Sequence, residues 1–211
     1  MNLQSSINSN IKFRPCTPKD VELAVPLIYS SGPDAFNYVF NNGRYTAIDF
    51  LKSAFVTKGG EFSFDNHIAM LVEEKLIGVG SAFSGSKATS FTIHDACKII
   101  KLYKFGAVKV MSRGLRVEQI IKLPKKNEIA LAHIAIHEDM RSKGFGQAMM
   151  QYLMSHMKRK ENNYFILDVS ELNPRAKALY ERLDFEDLKL NASKLCNKYG
   201  TVANHFRMVK K

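Results

Sequence analysis

The stretch IALAHIAIHEDMRSKGFGQAMM, residues 129–150, sets the interpretation of the whole chain. Its first eight residues are apolar except for His133 and have the length and flanks of a buried strand. A short polar turn follows, and from Gly144 onward the apolar residues recur at helical spacing. The stretch therefore predicts a strand, then a glycine-bearing loop, then the start of a helix.

The loop between this strand and this helix has the composition of an anion site. Arg141 and Lys143 bring positive charge, and Gly144 and Gly146 let the backbone approach a ligand closely. The first turn of a helix also has backbone N–H groups without intrahelical partners, and the helix dipole adds positive potential there. Taken alone, a tight turn explains the same residues, because Met149 stands where a dinucleotide-binding fingerprint has its third glycine.

A second informative stretch, NPRAKALYERLDF, covers residues 173–185 and follows a further apolar run at 164–170. Asn173 is suited to cap a helix whose first residue is Pro174. Leu179 and Leu183 then recur at helical spacing. We therefore expect another strand and another helix after the glycine loop.

Together the two stretches resemble the GNAT (GCN5-related) family of acetyl-CoA-dependent N-acetyltransferases. Arg141, Gly144 and Gly146 fill the family signature Q/R-x-x-G-x-G/A, and residues 173–185 match its helix pattern N-x-x-A-x-x-L-Y-x-x-L-x-F. The motifs stand in the family's order and are separated by one strand, so the pair is far more specific than either alone. The resemblance spans nearly the whole chain except residues 84–127.

The resemblance implies an α/β fold in a single domain of residues 1–211. In that fold a central twisted sheet of about seven strands, mixed but mostly antiparallel, is flanked by helices. Local patterns agree: they predict a strand at 11–14, helices at 18–30, 34–40 and 46–56, a hairpin at 67–83 and a final strand at 204–209.

Residues 84–127 depart from the family pattern and hold most of the positive charge. The formal net charge of the chain is +11, and this segment has ten lysines and arginines against two acids, Asp95 and Glu118. Its apolar spacing predicts a basic helical insertion between the third and fourth strands. The insertion's role stays open between a solvated face, a surface for a membrane or a protein, and a lid over the acceptor cleft. If it lines that cleft, its charge would disfavour polycationic acceptors.

The resemblance also implies direct transfer of an acetyl group from acetyl-CoA to a primary amine within a ternary complex. The edge of the fourth strand would bind the pantetheine arm with help from Asn173, and the loop would bind the pyrophosphate. The implied cofactor-binding residues are Ile134, Ala135, Ile136, Arg141, Ser142, Lys143, Gly144, Phe145, Gly146, Gln147 and Asn173. Tyr180 matches the position of the general acid, and a phenol with a pKa near ~10 is protonated at neutral pH.

The general base is less well defined. Some family members have Glu or His on the fourth strand, but here the equivalent same-face positions are Ala130 and Ala132, and His133 faces the opposite way if the strand is regular. The remaining carboxylates that act through water are Glu128, Asp168 and Glu171. We predict Glu171, at the end of the fifth strand, as the base.

A second class of function is a non-catalytic acyl-CoA-binding or regulatory module that uses the basic insertion to bind a partner. Such a module needs the glycine loop but not Tyr180, so the tyrosine favours an enzyme. The acceptor, a small-molecule amine or a protein amine, cannot be identified from the sequence. The absence of a nucleic-acid-binding motif argues against nucleic acid as a partner, and exposed strand edges in such folds often pair, which allows a homodimer.

Other features of the sequence bear on metal binding, disulfide formation and cellular location. Cys16, Cys97 and Cys196 are far apart and lack metal-ligand spacing, so we expect neither a metal site nor a disulfide. The N-terminus lacks a signal-peptide pattern and no apolar run reaches membrane-spanning length. We therefore expect a cytoplasmic protein without a transmembrane segment.

Overall fold

A computed structural model describes residues 11–157 and 163–211, which build a seven-stranded sheet with helices on both faces. The strands are β1 (Ile11–Pro15), β2 (His67–Val72), β3 (Lys75–Ser84), β4 (Glu128–Ile136), β5 (Tyr164–Ser170), β6 (Glu186–Asn191), β7 (Cys196–Asn197), β8 (Gly200–Thr201) and β9 (His205–Lys210). The strand order in the sheet is β1–β2–β3–β4–β5–β9–β6, and every neighbouring pair is antiparallel except β4 with β5. β7 and β8 form a separate two-stranded sheet. The fold class predicted from the sequence is confirmed.

Helices in the described residues match most of the sequence predictions. They are α1 (Val21–Ser30), α2 (Pro33–Phe40), α3 (Ala47–Phe55), α4 (Ala88–Tyr103), α5 (Ala107–Val117), α6 (Phe145–His156) and α7 (Pro174–Glu181). At the start of α3, Thr46 and Asp49 form a reciprocal capping box. The sequence pattern extends α6 to about residue 160, and 158–162 lie outside the described residues.

The two faces of the sheet have separate cores. One face packs against α1–α5, and the other packs against α6 and α7. On β4, Ile129 and Leu131 point to the α6 face, whereas Ala130 and Ala132 point to the opposite face. Small side chains on that second face leave room for a cavity above β4.

β4 is irregular at His133. This residue has φ +53°, and the register against β3 shifts at the same place. The extra residue is a β-bulge, which reverses the alternation of side chains beyond it. His133 therefore lies on the face of Ala132, where its ring packs against Phe36 and Phe62. The expectation that His133 faces the other way is wrong, because it assumed a regular strand.

The predicted helical insertion between β3 and β4 is present as α4 and α5. It is fastened to α2 and the residue after it: the Tyr103 hydroxyl donates to the Phe40 carbonyl oxygen at 2.7 Å, and Arg113 Nη1 donates to the Asn41 carbonyl oxygen at 2.8 Å. The two ends of the insertion meet at Gly85, where an added Cβ would lie 1.9 Å from the Lys125 carbonyl oxygen. A side chain at this position has no space.

We expect Gly85→Ala to lower the free energy of unfolding by about 1–3 kcal/mol, because overpacking against backbone forces the ends of the insertion apart. Gly114→Ala is the matched control. Its Cβ would meet only Val39, at 3.9 Å, and alanine within α5 should stabilise the helix by up to ~1 kcal/mol. Urea unfolding measures both changes. Equal effects of the two substitutions would contradict the close contact at Gly85.

Candidate active site

A cavity of about 740 Å³ lies between β4, β5, the insertion and α2. It exists because β4 and β5 pair only over three positions, from Glu128 with Tyr164 to Ala130 with Ile166, and separate beyond them. Within the part of the chain that the structure describes, backbone groups on this side of β4 after Ala130 therefore have no strand partner. The predicted pantetheine edge, Ile134 to Ile136, lines the cavity at this place.

The glycine loop forms one end of the cavity. Gly144 is the N-cap of α6 with φ +84°, and a Cβ added to it would meet nothing within 4 Å. The first turn of α6 has N–H groups without helical partners at Phe145, Gly146 and Gln147, since the bond to the Gly144 carbonyl oxygen comes from Ala148. Open space, free amides and a helix N-terminus together suit an anionic group.

Most of the predicted cofactor-binding residues meet at this end. Those lining the cavity are Ile134, Ala135, Ile136, Arg141, Ser142, Gly144, Gly146, Gln147 and Asn173. Two predicted residues do not line it. The ring of Phe145 is buried in the core beneath α6, and Lys143 Nζ donates to the Asp139 carbonyl oxygen at 2.9 Å. Only the backbone of Phe145 is placed to serve a ligand.

Two arginines make this end of the cavity positive. Arg141 Nε donates to the Ile136 carbonyl oxygen at 3.0 Å, and Arg175 Nη2 donates to Ser142 Oγ at 2.6 Å. Arg182 also lines the cavity. The sequence interpretation missed Arg175 and Arg182, although both lie in the second motif, Arg175 three residues before Ala178 and Arg182 four residues after it.

The predicted general acid, Tyr180, lies on α7 and lines the cavity. Its ring centroid is 6.3 Å from that of Phe185, and its side chain packs against the core beneath α6. Burial raises the pKa of Tyr180 to about 12. The phenol is therefore protonated at neutral pH. At the start of α7, Asn173 Oδ1 accepts a hydrogen bond from the Ala176 N–H at 3.1 Å.

A buried carboxyl on β5, that of Asp168, also lines the cavity. Arg207 bridges Asp168 Oδ2 at 3.1 Å and Glu128 Oε2 at 2.8 Å. The Asp168 side chain is only 8% exposed, and its Oδ1 has no hydrogen-bond partner among the described residues. Burial raises the pKa of Asp168 to about 7, with Arg207 opposing the rise and Glu128 adding to it. This carboxyl is set to exchange a proton near neutral pH.

The carboxylate predicted as the base, Glu171, lies elsewhere. It is exposed, its Oε2 accepts from Asn204 Nδ2 at 3.0 Å, and it is not among the residues that line the cavity. Glu128 is buried beneath the cavity and accepts hydrogen bonds from Tyr164 Oη and the Lys125 N–H. Tyr180 and Asp168 therefore share the cavity, whereas Glu171 does not.

Further polar groups line the cavity at the end away from the loop. His133 is joined to His67, with 3.1 Å between His133 Nδ1 and His67 Nε2, and His133 Nε2 is 3.5 Å from Glu61 Oε1. Asp95 on α4 and Glu118 after α5 lie on the same side. These residues could hardly be identified from the sequence, because Glu61 lies in a loop and the bulge changes the direction of His133.

Two kinds of feature are absent from residues 11–157 and 163–211. No group of three or more histidine, cysteine, aspartate or glutamate side chains is arranged to hold a metal ion. No helix in these ranges combines the length and the apolar character needed to cross a membrane.

Comparison with known proteins identifies the family. Residues 50–185 match the model of the acetyltransferase (GNAT) family. An N-acetyltransferase from Staphylococcus aureus Mu50 superimposes with a TM-score of 0.65 at 15% identity, over 94% of this chain and 100% of that one. A GCN5-related N-acetyltransferase from Kribbella flavida gives 0.58 at 11%, over 96% and 98%. No curated protein matches the sequence. The structural matches show the fold, and because the family match covers more than half of the chain, this protein belongs to the GNAT family of acetyltransferases.

Proposed function

We propose that the protein is an N-acetyltransferase that moves the acetyl group of acetyl-CoA to a primary amine bound in the same cavity. The observation that carries the proposal is one continuous cavity bordered by the free N-terminus of α6, the unpaired edge of β4 and the protonated Tyr180. A non-catalytic acyl-CoA-binding module would use the first two features. It has no use for a phenol and a carboxyl of raised pKa in the same space.

Residues of the loop and of β4 fit the two polar parts of the donor. The amides of Phe145, Gly146 and Gln147 would bind the pyrophosphate, with charge from the nearby arginines. The unpaired backbone of Ile134 to Ile136 would pair with the amides of the pantetheine arm, as a strand edge pairs with an extended ligand. Asn173, at the N-terminus of α7, borders the same groove.

Two titratable groups, Asp168 and Tyr180, would perform the acid–base chemistry at the fork, the place where β4 and β5 separate. Bound acetyl-CoA supplies an acyl carbon activated as a thioester. Asp168 Oδ1 accepts the proton that the acceptor ammonium must lose before its nitrogen bonds to that carbon. Tyr180 gives its proton to the sulfur as the carbon–sulfur bond breaks. Arg207 positions Asp168 by holding its other oxygen.

We expect wild-type protein to bind acetyl-CoA one-to-one in a calorimetric titration, and Gly144→Val to weaken that affinity by at least about tenfold. A valine side chain would occupy the open space over the loop and strain a left-handed residue. Gly43→Val is the matched control, because Gly43 has φ +89° but its added Cβ would meet only Tyr199 Oη, at 3.6 Å. Equal losses in both variants, or no binding by wild-type protein, would contradict the placement of the donor.

Tyr180→Phe should lower kcat by about 100-fold, the usual contribution of a positioned general acid. The acetyl-CoA affinity should stay within about twofold, because the ring and its packing are kept. Tyr152→Phe is the control: Tyr152 lies on α6 and stacks on Phe13, away from the cavity. Unchanged kcat in Tyr180→Phe would show that the sulfur takes its proton from another source.

The pH dependence of kcat tests the base. A base works only when deprotonated, so wild-type kcat should rise with pH through about 7 and level off above it. Asp168→Asn should lower kcat and remove this limb, with acetyl-CoA binding as the check that the variant is folded. Glu171→Gln is the comparison. If Glu171→Gln loses the limb and Asp168→Asn keeps it, the base is Glu171.

A further inference from the structure

Charge is divided between the two ends of the cavity. Arginines stand at the donor end, whereas Glu61, Asp95 and Glu118 stand at the opposite end. The insertion contains ten basic residues and two acids, yet both acids line the cavity, and of the ten basic residues only Lys122 does. Lys122 acts at Asp168, where its charge favours the ionised carboxyl. A basic insertion thus presents an acidic wall to the acceptor.

His67 and His133 form a hydrogen-bonded pair, and His133 Nε2 presents a lone electron pair at this wall. His67 Nδ1 lies 2.8 Å from the Ser63 carbonyl oxygen, which only accepts, so Nδ1 carries the proton and Nε2 does not. His67 Nε2 then accepts from His133 Nδ1, which leaves His133 Nε2 unprotonated in a neutral ring. Burial keeps the pKa of both rings low, with the charge of His67 adding to the effect on His133.

Among the described residues, this lone pair of His133 has a donor only while Glu61 is protonated. The His133 side chain is only 9% exposed, and its Nε2 faces Glu61 Oε1 at 3.5 Å. No other described residue donates a hydrogen bond to His133 Nε2, and none donates to the carboxyl of Glu61. An ionised Glu61 would leave two acceptors facing each other across a gap at the cavity wall. A cationic N–H donor would satisfy both.

The neighbouring carboxyls, those of Asp95 and Glu118, also have few hydrogen-bond donors among the described residues. Asp95 Oδ2 accepts from the Glu61 N–H at 2.8 Å, and its Oδ1 is 3.6 Å from Lys98 Nζ. Glu118 has no donor to its carboxyl among the described residues. Burial raises the pKa of Glu61 to about 8, with the charges of Asp95 and Glu118 raising it further. Glu61 is therefore mostly protonated at neutral pH, and a cation bound beside it would replace that proton.

We infer that the acceptor is a linear aliphatic diamine, whose reacting amine lies at the fork near Asp168 and whose second ammonium lies against Glu61, His133 and Glu118. This rests on the proposed function. The cavity also has apolar lining suited to methylene groups, which includes Phe36, Phe62, Ile99, Met111 and Leu115. A free amino acid fits less well, because its carboxylate would face carboxylates.

Turnover with paired amines tests the inference. The substrates are a homologous series of linear α,ω-diaminoalkanes, each compared with the n-alkylamine of the same chain length. We expect the best diamine to exceed its monoamine by at least about tenfold in kcat/KM, as a charged hydrogen bond in a desolvated site predicts. Glu61→Gln and Glu118→Gln should bring this ratio toward one. Glu22→Gln, an exposed carboxyl paired with Lys52 on the surface, should keep the wild-type ratio.

The pH dependence of diamine binding gives a second readout. A bound ammonium favours ionised Glu61, so the affinity should rise as pH increases through about 8, with proton release in calorimetry. The groups that face Glu61 are Asp95 from α4, Glu118 after α5 and His133 from β4. Glu61→Gln should flatten this dependence. A flat profile in wild-type protein would count against the inference.

The outcomes separate the inference from the proposed function. Intact acetyl-CoA binding with equal kcat/KM for diamines and monoamines overturns the inference and leaves the function standing. Absent acetyl-CoA binding overturns the function. In that case, direct titration with the diamine still tests whether the cation site exists. Diamine binding that is lost in Glu118→Gln supports the site, and absence of diamine binding overturns it. A peptide amine that exceeds every diamine in kcat/KM would overturn the free diamine as acceptor.

Discussion

The structure depends on the separation of β4 and β5 beyond their three paired positions. The two strands are held together at one end by Arg207 of β9, which reaches Glu128 on β4 and Asp168 on β5. A buried ion group has a large desolvation cost, and loss of the arginine would leave two uncompensated carboxyls. Beyond this point β5 stays paired with β9 and β4 stays paired with β3. The gap between β4 and β5 is therefore fixed by their outer neighbours.

Several features of the site follow from this fork. The separated edge of β4 exposes backbone groups that a ligand can pair with. Alanines at 130, 132 and 135 leave space above β4, where larger residues would fill the cavity. The same fork buries Asp168 beside an arginine, and one of its oxygens has no hydrogen-bond partner among the described residues. The shape of the cavity and the burial of Asp168 therefore both result from the way the strands of the sheet pair.

Local patterns were enough to predict the fold and many of the residues that line the cavity near the glycine loop. Strand 129–136, the Gly144 turn and the Asn173 cap are encoded in adjacent residues, so periodicity and capping rules apply directly. The bulge at His133 could not be predicted in this way, because an L-residue with positive φ is maintained by tertiary packing rather than by its neighbours. For a related reason, the sequence could not show that Asp168 lines the cavity and Glu171 does not. Burial of a carboxyl depends on which distant strand covers it.

The insertion shows why the net charge of a segment does not give the potential inside a cavity. Eight of its ten basic residues are exposed, and the other two are Lys98 and Arg113. Charges in water are screened over roughly 8 Å at physiological salt, so an exposed lysine has little influence on a distant buried group. Asp95 and Glu118 act at short range in a poorly solvated space, where their interaction with Glu61 is far less screened. Two inward-facing acids therefore outweigh eight exposed bases in the electrostatic potential at this end of the cavity.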